Sequence, residues 1–324
     1  MEDFLDTLWD NLTAVSLPLL ILGLALQAAQ TVFVALAWRN ILRAAYPEGG
    51  VQYDKTLAYY AGGNGLNAFL PASAGTVAML GLFRTNIKGS TVPGLLGATV
   101  VENIFFAIMG AIVYLWLFLS AAGSFDVHFS WLHEHWVAAI LIVVGGLALL
   151  ALVLRMLWHK LKHTWESAKE GGAILADKRK FAVEVVGVEA ISYAARMGVN
   201  ATFMYAFHIP VSVQNVFLIV AAASISSTVA VLPGAVGAQT ALANVVLAPV
   251  ASAAAISAYS VGQAVITTAF NIVFGLVLLA REIGWKAVRG MMHVKKKKDG
   301  GYEAEGDATT VVASDPAVTP APPE

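Results

Sequence analysis

The chain has 324 residues, 58% hydrophobic and 13% charged, with a formal net charge of −1 and a mean hydropathy of +0.71. A soluble domain carries about 25% charged residues, so this composition excludes one and predicts an all-α polytopic membrane protein, with several apolar runs near the ~20 residues a bilayer span needs. The absence of Cys excludes disulfides, thiolate metal sites and Cys nucleophiles, and nothing in the charge balance points to nucleic acid as a partner.

The N-terminus (Glu2, Asp3, Asp6, Asp10) is acidic and lacks the basic start of a cleavable signal peptide, so the first apolar helix is expected to be retained. Val15 to Trp38 reads as the first span, with Gln27 and Gln30 on one inward face, followed by Arg39, Arg43 and Lys55 in a connector. Thr56 to Phe83 is apolar, yet its centre holds Asn64, Asn67, Pro71, Ser73 and Gly75. A lipid-facing helix does not tolerate such breaks, because freed backbone groups find no partner in hydrocarbon; a broken or re-entrant helix buried in protein does. Pro93 to Ser120 is a long span carrying Glu102, and the next connector, Ala121 to His135, holds three His, a Trp and no Lys or Arg. The His spacing matches no metal site, and Trp131 and Trp136 suit an interfacial belt.

Val137 to Leu154 reads as a linking helix, and Arg155 to Lys180 as a polar connector with seven basic residues. Phe181 to Phe207 is a span that holds Glu184, Glu189 and Arg196, closed by a turn at His208-Ile209-Pro210. Val213 to Val250 is a second interrupted segment, broken at Pro233 and Pro249, and Ser257 to Ala280 is the last span. The membrane domain is therefore expected over residues 1–298, ending in a basic stretch (281–298). Residues 299–324, rich in Gly, Ala, Thr, Pro and acids, are expected to be disordered.

The two interrupted segments echo each other. Ala68-x-Leu70-Pro71-x-x-x-Gly75 reappears as Ala230-x-Leu232-Pro233-x-x-x-Gly237, and the closing spans share Asn103-Ile104-x-Phe106 and Asn271-Ile272-x-Phe274. Basic residues favour cytoplasmic connectors. With the N-terminus outside and both broken segments returning to their own side, 19 of the 20 Lys and Arg fall inside, and Arg196 alone stays in the membrane. A hairpin and a full pair of crossings give the same parity, and both stay open. This topology makes residues 15–120 and 181–280 an inverted repeat joined by the linking helix. Paired discontinuous helices of that kind mark the site of many secondary transporters.

Arg196 is the strongest candidate site residue, since a charge at the bilayer centre costs at least about 2.5–3.5 kcal/mol and usually faces a cavity or partner. Its planar fork suits a phosphate. Glu189 lies two turns earlier on the same face, roughly 10 Å away along the axis. The rival reading is a structural ion pair of Arg196 with Glu189 or Glu102. Both glutamates are candidate proton or cation carriers, Glu102 having interfacial placement as its rival reading; Glu184, nearer the helix start, is expected to be structural. Asn64, Asn67, Ser73, Ser226, Ser227, Thr228 and Gln239 could line a polar path or simply cap broken helices, while helix starts after Gly75 and Gly237 offer N–H groups to an anion. No Walker loop, zinc-binding His pair or nucleophile elbow is present, so neither an enzyme nor a cofactor or metal is expected. Lys295 to Lys298 is expected against anionic lipid, or to act only as a topology anchor.

The order of elements resembles the membrane domain of the lysylphosphatidylglycerol synthase/flippase family. The match rests on Asn before Leu70-Pro71-x-x-x-Gly75, then Arg84, then Val100-Val101-Glu102, and later Leu232-Pro233-Gly234-x-x-Gly237, within roughly residues 15 to 285. Thr76 and Met79 stand where the family usually has an acid and an Arg. Asn103 and Phe106 replace an Arg and Asp after the Glu, and Gln239 replaces an acid. The resemblance implies a flippase-like scaffold with much of its charge missing, and not the synthase half, whose soluble aminoacyl-transferase domain has no counterpart here. Three functions follow as expectations. The first is a lipid transporter whose partner is membrane phospholipid; the second is a proton-coupled transporter of a small polar or anionic solute. The third is a membrane scaffold acting on a partner enzyme through residues 299–324. A homo-oligomer stays open for each.

Overall fold

The computed structural model describes residues 16–68, 74–121, 169–229, 235–292, 294–296 and 302–304. Where the sequence runs apolar without a breaker it forms long helices: α1 (Leu17–Ala45), α4 (Val92–Ala121) and α9 (Ala253–Ile283). Each contains a stretch long and apolar enough to cross a membrane. Where Asn, Gly, Ser and Pro interrupt the run, the helices are short: α2 (Tyr53–Asn67), α3 (Ala74–Asn86), α7 (Val213–Val229) and α8 (Ala235–Leu247). At 1.5 Å per residue they measure roughly 20–25 Å, less than the ~30 Å hydrocarbon core. The Leu-Pro tips, with Pro71, Ser73 and Pro233, and the expected linking helix at 137–154 lie outside the described residues.

Two boundaries differ from expectation. The connector thought to hold Arg39 and Arg43 is the end of α1, because Trp38, Ile41 and Leu42 are buried and continue its packed face into the core. The span expected from Phe181 is a composite rod: α5 (Lys178–Phe181), a π-helical turn (Ala182–Val186) and α6 (Gly187–Ala206). Asp177 caps its start, accepting from the Lys180 N–H at 3.0 Å. The His208 turn falls where expected, with a positive φ of 58°.

The helices pair in opposed directions. On α1 and α6, Gly23 meets Phe203, Leu26 meets Gly198, and Asn40 Nδ2 donates to the Glu184 carbonyl at 2.8 Å, so the two run antiparallel. The same holds for α2 on α9. Gly62 meets Leu279 and Gly65 meets Asn271, while a Cβ at Gly275 would strike the Ala61 carbonyl. Small residues let backbones approach this closely where lipid supplies no hydrophobic drive for helix association. The third antiparallel pair is α4 on α7, where Trp116 meets Phe217 edge-on at 6.4 Å and Tyr114 Oη donates to the Ala221 carbonyl at 3.4 Å. Within each interrupted segment α2 packs on α3, and α7 on α8.

One core gathers around Trp38, Tyr59 and Phe83, the rings 5.7 Å apart, and a second around Phe207 and Tyr259. Large apolar side chains such as Ile21, Val77, Val100, Ile108, Val265 and Val273 point outward, as lipid contact requires. After α10 (Trp285–Met292) comes a three-residue antiparallel ladder, β1 (Val294–Lys296) with β2 (Tyr302–Ala304). It reaches into the segment expected to be disordered from Asp299.

Candidate functional site

Three elements bring ionisable groups together inside the bundle. From α6 come Glu189 and Arg196, from α4 Glu102, and from α2 Tyr60, which is hydrogen-bonded with Asn64 one turn on. Glu102 and Glu189 are within Coulombic reach of each other, and Tyr60 is within reach of both carboxyls and of Arg196. Five groups that lie up to 136 positions apart in sequence thus share one neighbourhood. Glu102 stands ten residues into α4, about 15 Å along its axis. Glu102 is half-buried there.

Arg196 lines a cavity of about 60 Å³ between α4, α6 and α7, with Tyr114, Tyr193 and Ser224. The structural ion pair weighed for it does not form: among the described residues the ion pair observed is Lys55 Nζ with Glu282 Oε1 at 3.9 Å. Glu189 is wholly buried, 0% exposed, and neither carboxyl oxygen has a hydrogen-bond partner. Ser192, one turn further along the same face, is equally buried and its Oγ is equally without a partner.

The remaining candidates divide. Asn67 caps the start of α3: its Oδ1 accepts from the Thr76 N–H at 3.2 Å and its Nδ2 donates to Thr76 Oγ1 at 3.1 Å. This is the capping role weighed for it. Gly75 is buried against Gly63 and Asn67, whereas a Cβ at Gly237 would meet nothing within 4 Å among the described residues. Ser226 donates to the Ala222 carbonyl at 2.9 Å. Ser227 and Thr228 fall in the last turn of α7, and Gln239 is half-buried on α8. Asn103 is exposed, but its echo Asn271 accepts from Gln27 Nε2 at 3.2 Å, so Gln27 does look inward.

Sequence reasoning missed three features. Tyr60 was legible as the residue one turn before Asn64, and Ser192 as the residue one turn after Glu189. The third is an open groove of about 830 Å³ at one end of α1, lined by Arg39, Arg43, Lys180, Asp177 and Glu184. Arg39 donates from Nη1 to Asn40 Oδ1 at 3.3 Å, and its Nε is buried without a partner. Arg39 and Lys180 lie 141 residues apart, and no sequence pattern joins them.

Long apolar helices, paired short ones between them and an ionisable interior define a multi-pass helical membrane protein. The profile of the family described as lysylphosphatidylglycerol synthase TM region matches residues 4–275, which takes in both interrupted segments and all five clustered residues. The chain belongs to this family. No curated protein and no solved structure matches it.

Proposed function

We propose that the protein is a flippase-like lipid transporter, not an enzyme, which moves a polar, phosphate-bearing headgroup between leaflets past the two interrupted segments while acyl chains stay in the bilayer. The observation that carries this reading is Arg196: a guanidinium inside the helix bundle, at a cavity, with no ion pair among the described residues. A charge kept there without a direct ion pair is costly unless a ligand completes one. Phosphate is the anion whose geometry suits the fork.

The architecture we propose for this transport is an inverted repeat. The helix that opens each half, α1 and α6, runs antiparallel to the other, and the first short helix of each half lies on the closing helix of the opposite half. Short helices that double back on themselves support re-entrant hairpins, dipping from opposite leaflets, over full crossings. Basic residues at the groove by Arg39, Arg43 and Lys180 support a cytoplasmic location for that end. The N-terminus is then outside and the C-terminus cytoplasmic, in the cell's plasma or inner membrane, with Lys295–Lys298 toward anionic lipid.

The test is leaflet exchange of labelled phospholipids by the purified chain in liposomes, over anionic and zwitterionic headgroups. Wild type is expected to exchange lipid, and Arg196→Gln to reduce the rate at least about tenfold, the loss of a charge-assisted hydrogen-bond pair. Undiminished exchange by Arg196→Gln, in folded protein, would overturn the reading.

A further inference from the structure

Three oxygens on one face of α6 lack partners in a part of the molecule where partners are nearly obligatory. Glu189 Oε1, Glu189 Oε2 and Ser192 Oγ are all buried and all unbonded, on residues that are both 0% exposed. A serine within a helix normally finishes its hydrogen bond on the carbonyl four residues back, as Ser224 and Ser226 do here at 2.8 and 2.9 Å. Ser192 does not. A buried ionised carboxylate accepting no hydrogen bond is among the least stable arrangements a protein interior can hold. Something that neutralises charge belongs there.

The surrounding groups fix the sign and size of that charge. From α4 Glu102 faces Glu189, from α2 Tyr60 does, and α6 itself adds Arg196 and Tyr193. On α1 the charged residues nearest this helix are Arg39 and Arg43, in the groove beside Glu184. From α9, Tyr259 donates to Asn200 Oδ1 at 3.1 Å, further along α6. On α7 it is Ser224 that lies by Arg196. Two carboxyls against one guanidinium leave one negative charge over. The π-helical turn at Ala182–Val186 directly precedes this stretch, and such turns are frequent at functional sites.

We propose that Glu189 and Ser192 form the binding site of one exchangeable monovalent cation, a proton or Na⁺, whose loading and release drives the transport cycle. The driving role rests on the lipid-transport reading; the cation site does not. A proton would convert Glu189 to a neutral acid, and Na⁺ would take both its oxygens and Ser192 Oγ as ligands. Either cation brings the summed formal charge of Glu102, Glu189 and Arg196 to zero.

The experiment uses the full chain, first in detergent and then in liposomes. Melting temperature is followed against pH at fixed Na⁺, and against Na⁺ at fixed pH with K⁺ as the control. Wild type is expected to gain several degrees with one of the two cations; response to acid alone identifies H⁺, and response to Na⁺ alone identifies Na⁺. Glu189→Gln, permanently neutral, is expected to lose that dependence. Ser192→Ala, a milder change should Glu189→Gln fold poorly, is expected to shift its midpoint about tenfold if the cation is Na⁺ and less for H⁺. In liposomes, a gradient of the active cation is expected to accelerate lipid exchange in wild type and not in Glu189→Gln. A wild type indifferent to both cations, or variants that respond as wild type does, would overturn the proposal. A cation-dependent melting temperature without any lipid exchange would leave the site standing and sink the flippase reading instead.

Discussion

The two helical hairpins carry the same Leu-Pro motif and are held in different ways. In the first, Asn67 binds Thr76 twice across the bend, Gly75 is pressed onto Gly63, and α2 is seated against α9 through Gly62, Gly65 and Gly275. In the second, Val229 and Ala238 stand where Asn67 and Thr76 stand in the first, so the same bond cannot form. A Cβ on Gly237, the counterpart of Gly75, would meet no described residue within 4 Å, and α7 lies on α4 through Val220 beside Phe105 and Val113, the Trp116–Phe217 ring edge and one long hydrogen bond. The cavity beside Arg196 opens against α7 of this second hairpin. A transporter needs one part that keeps the site in shape and another that yields. On the transport reading proposed above, the first hairpin serves as the fixed part and the second as the yielding one.

The comparison breaks most visibly at the paired glycines. Gly75→Ala puts a methyl group into the Gly63 carbonyl and the Asn67 backbone N–H, where neither side can retreat, and is expected to cost about 2–3 kcal/mol. Gly237→Ala meets nothing within 4 Å among the described residues and gains helix propensity in α8, so it is expected to be neutral or stabilising by up to about 1 kcal/mol. Thermal unfolding of both variants in the same detergent checks the pair. Equal losses would mean that the second hairpin is packed as tightly as the first.

A smaller effect is expected at the cap. The Thr76 N–H is one of the first amides of α3, which has no partner inside its own helix, and Asn67 Oδ1 supplies one. Asn67→Ala is expected to lose about 1–2 kcal/mol. In a double-mutant cycle with Thr76→Val, about 1 kcal/mol of coupling is expected, since Asn67 Nδ2 also donates to the Thr76 hydroxyl. A coupling near zero would show that the bend is set by packing alone.

The two interrupted segments were legible in the sequence, and the asymmetry between them was not. Breakers inside apolar runs located both interrupted segments, since Asn, Gly and Pro have few other uses in such sequence. The charges Glu102, Glu189 and Arg196 declared themselves by their cost in lipid. What sequence could not give was which polar residue answers which. Asn67 reads equally as ligand or cap until Thr76 is seen at 3.1 Å. Gly75 and Gly237 are the same letter in the same motif, and no sequence pattern tells that Gly75 is pressed against Gly63 and Asn67. The reach of α1 past Arg39 was missed because two arginines read as the end of a span, although Ile41 and Leu42 between them are buried. The groove joining α1 to Lys180 depends on tertiary contact alone.

The smallest expected effect tests the yielding side directly. Tyr114 Oη reaches the Ala221 carbonyl at 3.4 Å, long for an O–H donor, and that carbonyl belongs to a residue inside α7 with helical bonding of its own. Removing the hydroxyl by Tyr114→Phe therefore strands no buried group and keeps the ring against α7. A loss of no more than about 0.5 kcal/mol is expected, near the low end for a neutral hydrogen bond. Thermal unfolding would settle the size, and hydrogen exchange of α7 amides would settle the place. If Tyr114→Phe instead cost more than about 1.5 kcal/mol, or α7 exchanged as slowly as α2 in wild type, this contact would be a latch, and the second hairpin would be held as firmly as the first.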